Sequence, residues 1–338
     1  MRNVNDYDIL AIGPAFSDIL IQVSDSKYAY IRKWLFSNCS SWCCIKDVEK
    51  FKYIISILDI DNSSILMEAG STILGSLSSL PKILRKRSCI YSYKGTANEQ
   101  ISLESFHIYQ KAVANLGLSL EYNEFNGTNK IGLILVSPNN PERLLLSLQE
   151  EQYDKKKESS LPSAEYLLVN AYEMLNPLYS NLIFSAIQSG DYKVVLGLGD
   201  KSIISGDLKA KIISCINSRN IFCIAGNYDE FQALKEFSDS NMLKQESLYK
   251  KVPNILITQG ARGMTGYIGN KSVFQFAENV SNIVSTSGAG DVALGVFLSG
   301  IRFSAPLESI LEKAVQYSAE ILKRQSNIFR EGIENVKI

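Results

Sequence analysis

Apolar residues lie along the chain in short runs that alternate with longer amphipathic segments. The first run, residues 7–13, is apolar and ends in glycine, which predicts a buried strand. From residue 166 onwards, strand-like and helix-like segments alternate, an order typical of a parallel sheet covered by helices. The predicted strands of this half are 166–170, 193–198, 221–225 and 255–258, and its predicted helices are 178–189 and 208–218.

Three extended runs in the middle of the chain, 119–123, 131–136 and 143–146, follow one another without an intervening helix. Parallel strands need a crossover of a dozen or more residues, whereas antiparallel strands are joined by short turns. We therefore expect these runs to form a small antiparallel sheet beside a parallel core. The apolar content of 46% is enough for a large α/β core.

The composition argues against several classes of protein. Lys plus Arg and Asp plus Glu each number 35, so the net charge is zero and no basic surplus indicates nucleic-acid binding. No apolar run approaches the roughly 18 residues that span a bilayer, and residues 1–8 lack the apolar core of a signal peptide. We expect a soluble, cytoplasmic protein without a membrane partner. The six cysteines form no Cys-x-x-Cys pair, which predicts free thiols, and the single histidine, His107, lacks the partners of a serine hydrolase.

The strongest candidate for chemistry is the segment 285–291, of sequence STSGAGD. The apolar run 282–284 before it predicts a strand, and the apolar residues after it predict a buried helix. The glycines let successive backbone N–H groups point into one space at the helix N-terminus, where anions bind. These N–H groups belong to Gly288, Ala289 and Gly290. Asp291 would lie in the first helical turn and could take the proton of an attacking hydroxyl. The alternative is a structural turn whose aspartate is favoured by the helix dipole.

Other polar and small residues follow the carboxyl ends of predicted strands, the edge of a parallel sheet at which ligands bind. Asp18 lies beyond the first strand, and the turn 69–71 (Ala-Gly-Ser) joins a strand to a helix of small residues. That turn is explained equally well by close packing of the helix on the sheet. The last strand of the alternating half is followed by Thr258, Gly260 and Gly263.

Asn227 and Glu230 follow the strand 221–225 at a spacing of three, on one side of a predicted helix start. Both could bind a hydrated Mg²⁺, an ion that usually retains several water ligands and takes few ligands from the protein. The alternative is that Asn227 caps the helix and Glu230 completes a capping pair.

Taken together, these residues at the strand ends resemble the ribokinase-like (PfkB) family of sugar and nucleoside kinases. The resemblance extends from about residue 8 to about residue 322. The most specific match is 286–291, TSGAGD, which is similar to the family signature DTTGAGD. Asn-x-x-Glu at Asn227 and Thr-x-Gly-x-x-Gly at Thr258 stand where the family has them. The opening Ile-Gly-x-x-x-x-Asp, which ends at Asp18, looks most like the adenosine-kinase branch.

The resemblance implies a three-layer α/β/α fold, a single domain over residues 1–338, and a small β lid built from about 14–48 and 118–148. It implies an ATP- and Mg²⁺-dependent kinase for a primary hydroxyl of a sugar or nucleoside. The implied roles are Asp291 as catalytic base, Gly288, Ala289 and Gly290 as anion hole, Asn227 and Glu230 for Mg²⁺ through water and for the ATP phosphates, Thr258, Gly260 and Gly263 beside the nucleotide, and Asp18, Gly70 and Ser71 for the acceptor. The protein would be a monomer or a homodimer formed through the lid, because an open sheet needs its second face covered.

Four residues depart from the family pattern. Pro14, Ala69 and Leu74 replace an Asn, a Gly and an Asn on the acceptor side, and Ser285 replaces an Asp that in some members helps a monovalent-cation site. A catalytically inactive relative that binds a nucleotide or a partner is therefore the second hypothesis. A deep apolar slot beside Leu74 would favour a nucleoside, and a small polar pocket a free sugar. A Walker-type loop is excluded because the chain has no Gly-Lys dipeptide, and no Gly-x-Gly-x-x-Gly after the first strand supports a dinucleotide oxidoreductase.

Overall fold

A computed structural model describes residues 6–35, 42–45, 48–58, 65–97, 100–137, 139–148, 154–155, 160–236, 248, 250–284 and 286–324. The strands are, in chain order, β1 (Tyr7–Ile12), β2 (Ser17–Gln22), β3 (Trp42–Ile45), β4 (Ile65–Ala69), β5 (Ser88–Gly95), β6 (Ser119–Asn126), β7 (Ile131–Ser137), β8 (Asn140–Leu148), β9 (Asp154–Lys155), β10 (Ala164–Asn170), β11 (Lys193–Gly197), β12 (Ile221–Asn227), β13 (Asn254–Thr258), β14 (Gly263–Ile268) and β15 (Lys271–Phe276). The helices are α1 (Asp25–Leu35), α2 (Val48–Ile57), α3 (Thr72–Ser78), α4 (Lys82–Arg85), α5 (Gln100–Asn115), α6 (Ala171–Leu175), α7 (Ser180–Ser189), α8 (Gly206–Asn217), α9 (Tyr228–Glu236), α10 (Ala289–Arg302) and α11 (Leu307–Leu322).

The large sheet has the strand order β15-β14-β13-β12-β11-β10-β1-β5-β6-β9. Its central strands, from β13 to β6 in that order, are parallel, and the edge strands β15, β14 and β9 pair antiparallel. Successive residues of β1 enter the hydrophobic clusters on opposite faces of the sheet, since Ile9 and Ala11 join one cluster and Leu10 and Ile12 the other. This double burial explains the unbroken apolar runs of the strands. The predicted three-layer α/β/α class with a mostly parallel sheet is confirmed.

The expectation for the run 119–123 was wrong. It belongs to β6, which pairs parallel with β5 in the large sheet, not with the small sheet. The physical reason is helix α5, which lies between β5 and β6 in the chain and supplies the crossover that parallel pairing requires.

The small sheet has the order β3-β8-β7-β2-β4 and is mixed, not antiparallel as expected. Strands β2 and β7, like β3 and β8, pair in parallel, while β4 and β8 run antiparallel to their neighbours β2 and β7. It therefore draws on parts of the two predicted lid segments and on β4, which lies between them.

Helices α1 and α2 cover one face of the small sheet. Tyr28 and Ile31 of α1 and Phe51 and Ile54 of α2 are buried in one cluster with the sheet residues Ile19, Ile21, Leu133 and Leu135. These helices cover only one face of the small sheet, so a dimer through the lid stays a prediction. Among the described residues, no helix is long and apolar enough to cross a membrane.

Candidate active site

Helix α10 begins at the glycine-rich turn. Gly288 precedes the helix with φ 83° and ψ −13°, a left-handed conformation that glycine adopts without strain. The N–H of Val292 donates to the Gly288 carbonyl over 2.9 Å and closes the first helical turn. A Cβ atom on Gly290 would meet no atom of the described residues within 4 Å. The first turn, whose N–H groups have no acceptor within the helix, therefore borders open space at Gly290, and it carries Asp291.

The run 282–284 is not the strand that its apolar residues predict. Asn282 has φ 65°, and Ile283 and Val284 are 53% and 49% exposed. The N–H of Val284 donates over 2.8 Å to the carbonyl of Leu322, at the end of α11. The backbone is thus held by a helix end and not by a neighbouring strand. Ser285, and with it the predicted loss of a monovalent-cation ligand, lies outside the described residues.

Asp291 and Glu230 form an interacting pair of carboxyl groups. Burial, and next the charge of Glu230, raise the pKa of Asp291 from its ordinary 3.8 to about 8. Burial raises the pKa of Glu230 to about 7, assisted by the charges of Asp200 and Asp229 and opposed by hydrogen bonds from Asn227. Near neutral pH the pair therefore retains protons that isolated carboxyl groups would lose, and a bound cation would release them.

Asp200 joins this acidic group from the loop after β11. Burial raises the pKa of Tyr172, and the charges of Asp200, Glu230 and Asp291 raise it further, so all three carboxyl groups lie around one tyrosine. Gly199 brings the loop close with φ 80°, because a Cβ atom there would lie 2.7 Å from Asn170 Oδ1 and 2.9 Å from the Tyr172 ring. Sequence reasoning missed Asp200, although its position just after a strand end was a usable signal.

Asn227 and Glu230 make a reciprocal capping pair. The N–H of Glu230 donates to Asn227 Oδ1 over 2.9 Å, the N–H of Asn227 donates to Glu230 Oε2 over 2.9 Å, and Asn227 Nδ2 donates to Glu230 Oε1 over 2.5 Å. This is the capping alternative of the sequence analysis. It leaves room for the metal hypothesis, because a carboxylate that accepts these hydrogen bonds keeps further lone pairs.

Mg²⁺ is usually held by one or two carboxylates together with phosphate and water oxygens. In the part of the chain that the structure describes, no three His, Cys, Asp or Glu side chains are placed to hold a metal ion by themselves. Glu230 supplies carboxylate oxygen, and the electrostatic coupling of Glu230 with Asp291 would be relieved by positive charge. These residues fit a hydrated Mg²⁺ that is held jointly with phosphate groups, the usual coordination of this ion.

The predicted nucleotide residues lie beside this pair. Thr258 pairs with Asn227 across the parallel strands β13 and β12, so both strand ends meet at one edge. Gly260 opens a 3-10 turn that ends at Arg262, whose guanidinium lies 5.7 Å from the Tyr228 ring centre at the start of α9. Gly263 has φ 120°, and a Cβ atom on it would overlap the carbonyl of Gln275, so no other residue fits there.

Asp18 lies between two glycines of the small sheet. A Cβ atom on Gly70 would lie 2.6 Å from Asp18 Oδ2, and one on Gly132 would overlap Asp18 Oδ1. Phe16 lies against the same two positions, so Phe16 and Asp18 point to the same face of β2. Gly132 was missed by sequence reasoning, because it comes next to Asp18 only through the pairing of β2 with β7.

Ser71 adopts φ 94° and ψ 128°, a conformation that is strained for any residue except glycine. Helix α3 starts directly after it, and Ser79 at the other end of α3 donates its hydroxyl to the carbonyl of Val292 over 3.0 Å. Helix α3, which follows Ser71, is therefore attached to the first turn of α10. Among the departing residues, Ala69 and Leu74 are buried in the core, and Leu74 is fully so.

The predicted site residues therefore form two groups. Around the start of α10 the structure brings together Asp291, Glu230 and Asn227, with Thr258 next to Asn227 in the sheet. The residues predicted for the acceptor, Asp18 with Gly70, lie at the small sheet, and α3 joins the two groups.

Comparison with known proteins gives one family. The model of the "pfkB family carbohydrate kinase" matches residues 108–331, about two thirds of the chain. A Mycoplasma pneumoniae protein named "Putative 1-phosphofructokinase" is 29% identical over 119 residues, which cover 34% of this chain and 40% of that protein. The matches thus span less than half of the length of this relative and of its Mycoplasma genitalium namesake.

Solved structures show the same fold over nearly the whole chain. An adenosine kinase from Sinorhizobium meliloti superposes with a TM-score of 0.75 at 16% identity, over 96% of each chain. A structure from Rhizobium etli, titled as a probable sugar kinase, gives a TM-score of 0.77 at 14% identity over 96% of each chain. Since the family model covers most of the chain and the fold agrees throughout, the chain belongs to the pfkB family of carbohydrate kinases, phosphotransferases that use an alcohol group as acceptor.

Proposed function

We propose that the chain is an ATP-dependent kinase that transfers a phosphoryl group to a primary hydroxyl of a small sugar or nucleoside. Asp291 is the base that takes the hydroxyl proton, and the backbone N–H groups of the turn before it bind the transferred phosphate charge. Asp18 holds acceptor hydroxyls, with Gly70 and Ser71 beside it. The five-stranded small sheet serves as the lid over the acceptor.

The observation that carries this proposal is the pairing of Asp291 with Glu230 at the start of α10. Two carboxyl groups whose pKa values rise to about 8 and about 7 are unfavourable in a purely structural position. A general base near the operating pH is what proton transfer requires, and strongly perturbed carboxyl groups are typical of active sites. The open space in front of Gly290 leaves room for the transferred phosphate beside these two carboxyl groups.

On the donor side, Asn227 and Glu230 would hold Mg²⁺ through water together with the ATP phosphates, and Thr258, Gly260 and Gly263 would border the nucleotide. The metal supplies charge neutralisation for the phosphoryl oxygens. The chain's own residues supply position: the capping pair orients the Glu230 carboxyl, and the glycine turns let the backbone approach the phosphates closely. In-line transfer depends mainly on such positioning and charge neutralisation.

The test is a coupled ADP-release assay with a panel of free sugars, sugar phosphates and nucleosides, run beside calorimetric titration with ATP and Mg²⁺. The proposal expects ADP release that depends on one class of acceptor and falls by 10²–10⁴-fold in Asp291→Asn. ATP binding without ADP release for any acceptor would favour the second hypothesis, a catalytically inactive relative. Retained turnover in Asp291→Asn would refute the role of this residue.

A further inference from the structure

Helices α3 and α10 cross with their backbones in direct contact. Gly295 lies in α10 at the crossing, and a Cβ atom on it would overlap the carbonyl oxygen of Ser76 and the hydroxyl oxygen of Ser79. The carbonyl belongs to the backbone of α3, so it cannot turn aside as a flexible side chain would. Any residue larger than glycine would therefore separate the two helices by about 1 Å.

A hydrogen bond joins the two helices at the same place. Ser79 Oγ lies 3.0 Å from the carbonyl oxygen of Val292 and 2.8 Å from that of Ser76. The hydroxyl has one proton, which is shared between a carbonyl of α10 and a carbonyl of α3. All three residues are no more than 2% exposed, so water does not compete for this bond. Because Val292 directly follows Asp291, the bond attaches the end of α3 to the turn that carries the proposed base.

The other end of α3 is attached to the residues proposed for the acceptor. The carbonyl of Ser71 accepts from the N–H of Gly75 over 3.0 Å and closes the first turn of the helix. The N–H of Gly70 donates to the carbonyl of Phe16 over 3.0 Å, and a Cβ atom on Gly70 would lie 2.6 Å from Asp18 Oδ2. Helix α3 has seven residues and is about 10 Å long. It therefore forms a short connection between Asp18 with its glycine turn and the first turn of α10.

Helix α10 has a second support, which α3 does not share. Ser318 of α11 donates its hydroxyl to the carbonyl of Ala289 over 3.0 Å, and a Cβ atom on Gly300 would overlap the side chain of Ile310 in α11. Thus α11 holds α10 close to its first turn and again near its end. A wider crossing between α3 and α10 should therefore displace α3 and leave the phosphate-binding turn in place.

We infer that Gly295 and Ser79 are positioning residues for phosphoryl transfer, whose contact sets the distance between the acceptor turn and Asp291. This inference rests on the proposed kinase function. Both residues are buried, so they act through the backbone of α3 and touch neither ATP nor the acceptor. Transfer requires the acceptor hydroxyl, the base and the phosphate in one near-attack geometry, and a misplacement of about 1 Å can cost about 10²-fold in rate.

The experiment uses two variants with matched controls on α10. Ser79→Ala is compared with Ser299→Ala, because Ser299 is also fully buried but donates over 2.9 Å to the carbonyl of Val296 within its own helix. Gly295→Ala is compared with Gly300→Ala, which crowds α10 against α11 instead of α3. Each protein is assayed by coupled ADP release with ATP, Mg²⁺ and the sugar, sugar phosphate or nucleoside that gives the unmodified chain its highest kcat/KM.

We expect kcat to fall about tenfold in Ser79→Ala and about 10²-fold in Gly295→Ala, with the KM for ATP within about twofold of the unmodified chain. Both controls should keep kcat within about twofold. Ser79→Ala and Ser299→Ala should lower Tm by similar amounts, because each removes one buried hydroxyl. A merely structural role predicts equal kcat for these two variants at a temperature at which both are folded. Should Gly295→Ala fail to fold, Ser79→Ala decides the question.

The inference and the proposed function fail in different ways. Equal kcat in Ser79→Ala and Ser299→Ala, with ADP release by the unmodified chain intact, overturns the positioning role and keeps the kinase function. A KM for ATP that rises as much as kcat falls would mean that α10 is displaced, and it also overturns the inference. If the unmodified chain releases no ADP with any acceptor, the kinase function is refuted and the positioning role with it.

Discussion

Asp291→Asn should make the protein more stable while it lowers turnover by about 10²–10⁴-fold. Burial and the charge of Glu230 hold the pKa of Asp291 at about 8 in the folded chain, against 3.8 in an exposed aspartate. Between these two pH values the folded state binds more protons than the unfolded state, so the free energy of unfolding decreases as pH rises through this window. An asparagine is neutral throughout, and it keeps the shape of the side chain.

The magnitude follows from the shift. About four units at roughly 1.4 kcal/mol each give an upper limit near 6 kcal/mol above pH 8, and about 4 kcal/mol at pH 7. Asp291 keeps partial access to solvent, and Glu230 can take up the proton in its place, so we expect a gain of about 1–3 kcal/mol at pH 7.5. Well below pH 4 the gain should vanish, because Asp291 is then protonated in the unfolded chain as well as in the folded chain.

The assay is urea unfolding of the unmodified chain and of Asp291→Asn at pH 5 and pH 7.5, beside the coupled ADP-release measurement. Asp207→Asn is the matched control, since Asp207 also lies in the first turn of a helix but is exposed. The control should lose up to about 1 kcal/mol through the helix dipole at both pH values. If Asp291→Asn is destabilised like the control, the burial argument is refuted.

Three further changes test other parts of the site. The acid limb of kcat/KM should lie near pH 8, where Asp291 ionises in the free enzyme. Burial alone would still raise this pKa in Glu230→Gln, but the second cause, the charge of Glu230, is gone, so the limb of the pH–rate profile should move to lower pH. An unmoved limb contradicts the coupling. Gly132→Ala should push the Asp18 carboxyl aside and raise the acceptor KM at least about tenfold at constant KM for ATP; equal acceptor constants would remove Asp18 from the acceptor site. Ser71→Gly should gain about 1 kcal/mol in urea unfolding by releasing left-handed strain, a gain that Ser71→Ala should lack.

Much of the part of the site proposed to bind ATP could be predicted from the sequence, because its residues are close neighbours in the chain. The glycines before Asp291 require a turn, and the apolar residues after it require a buried helix, so the start of α10 follows from a few neighbouring residues. The pair Asn227 and Glu230 is equally local, since both residues lie within one helical turn. What remained open there was whether the pair only caps the helix.

The errors of the sequence interpretation share one cause, which is that strand pairing depends on distant residues. The run 119–123 was predicted to pair with the runs that follow it in the chain. In the structure it pairs with β5, because α5 forms the crossover between β5 and β6. The run 282–284 has the apolar character of a strand but finds only the end of α11 beside it. Gly132 shows nothing unusual in sequence and matters only because β7 lies next to β2.

The sequence by itself determined the order of strands and helices in the alternating half, the glycine turn with Asp291 behind it, and membership of a kinase fold, since each of these depends on residues that are neighbours in the chain. Only the tertiary structure decided the chemistry of the charged groups. The pKa of Asp291 rises because the surrounding protein takes the place of water and because Glu230 adds a negative charge nearby, and the pKa of Glu173 rises because that side chain is buried. Burial and the distance between charges are properties of the folded chain, so no local pattern encodes them.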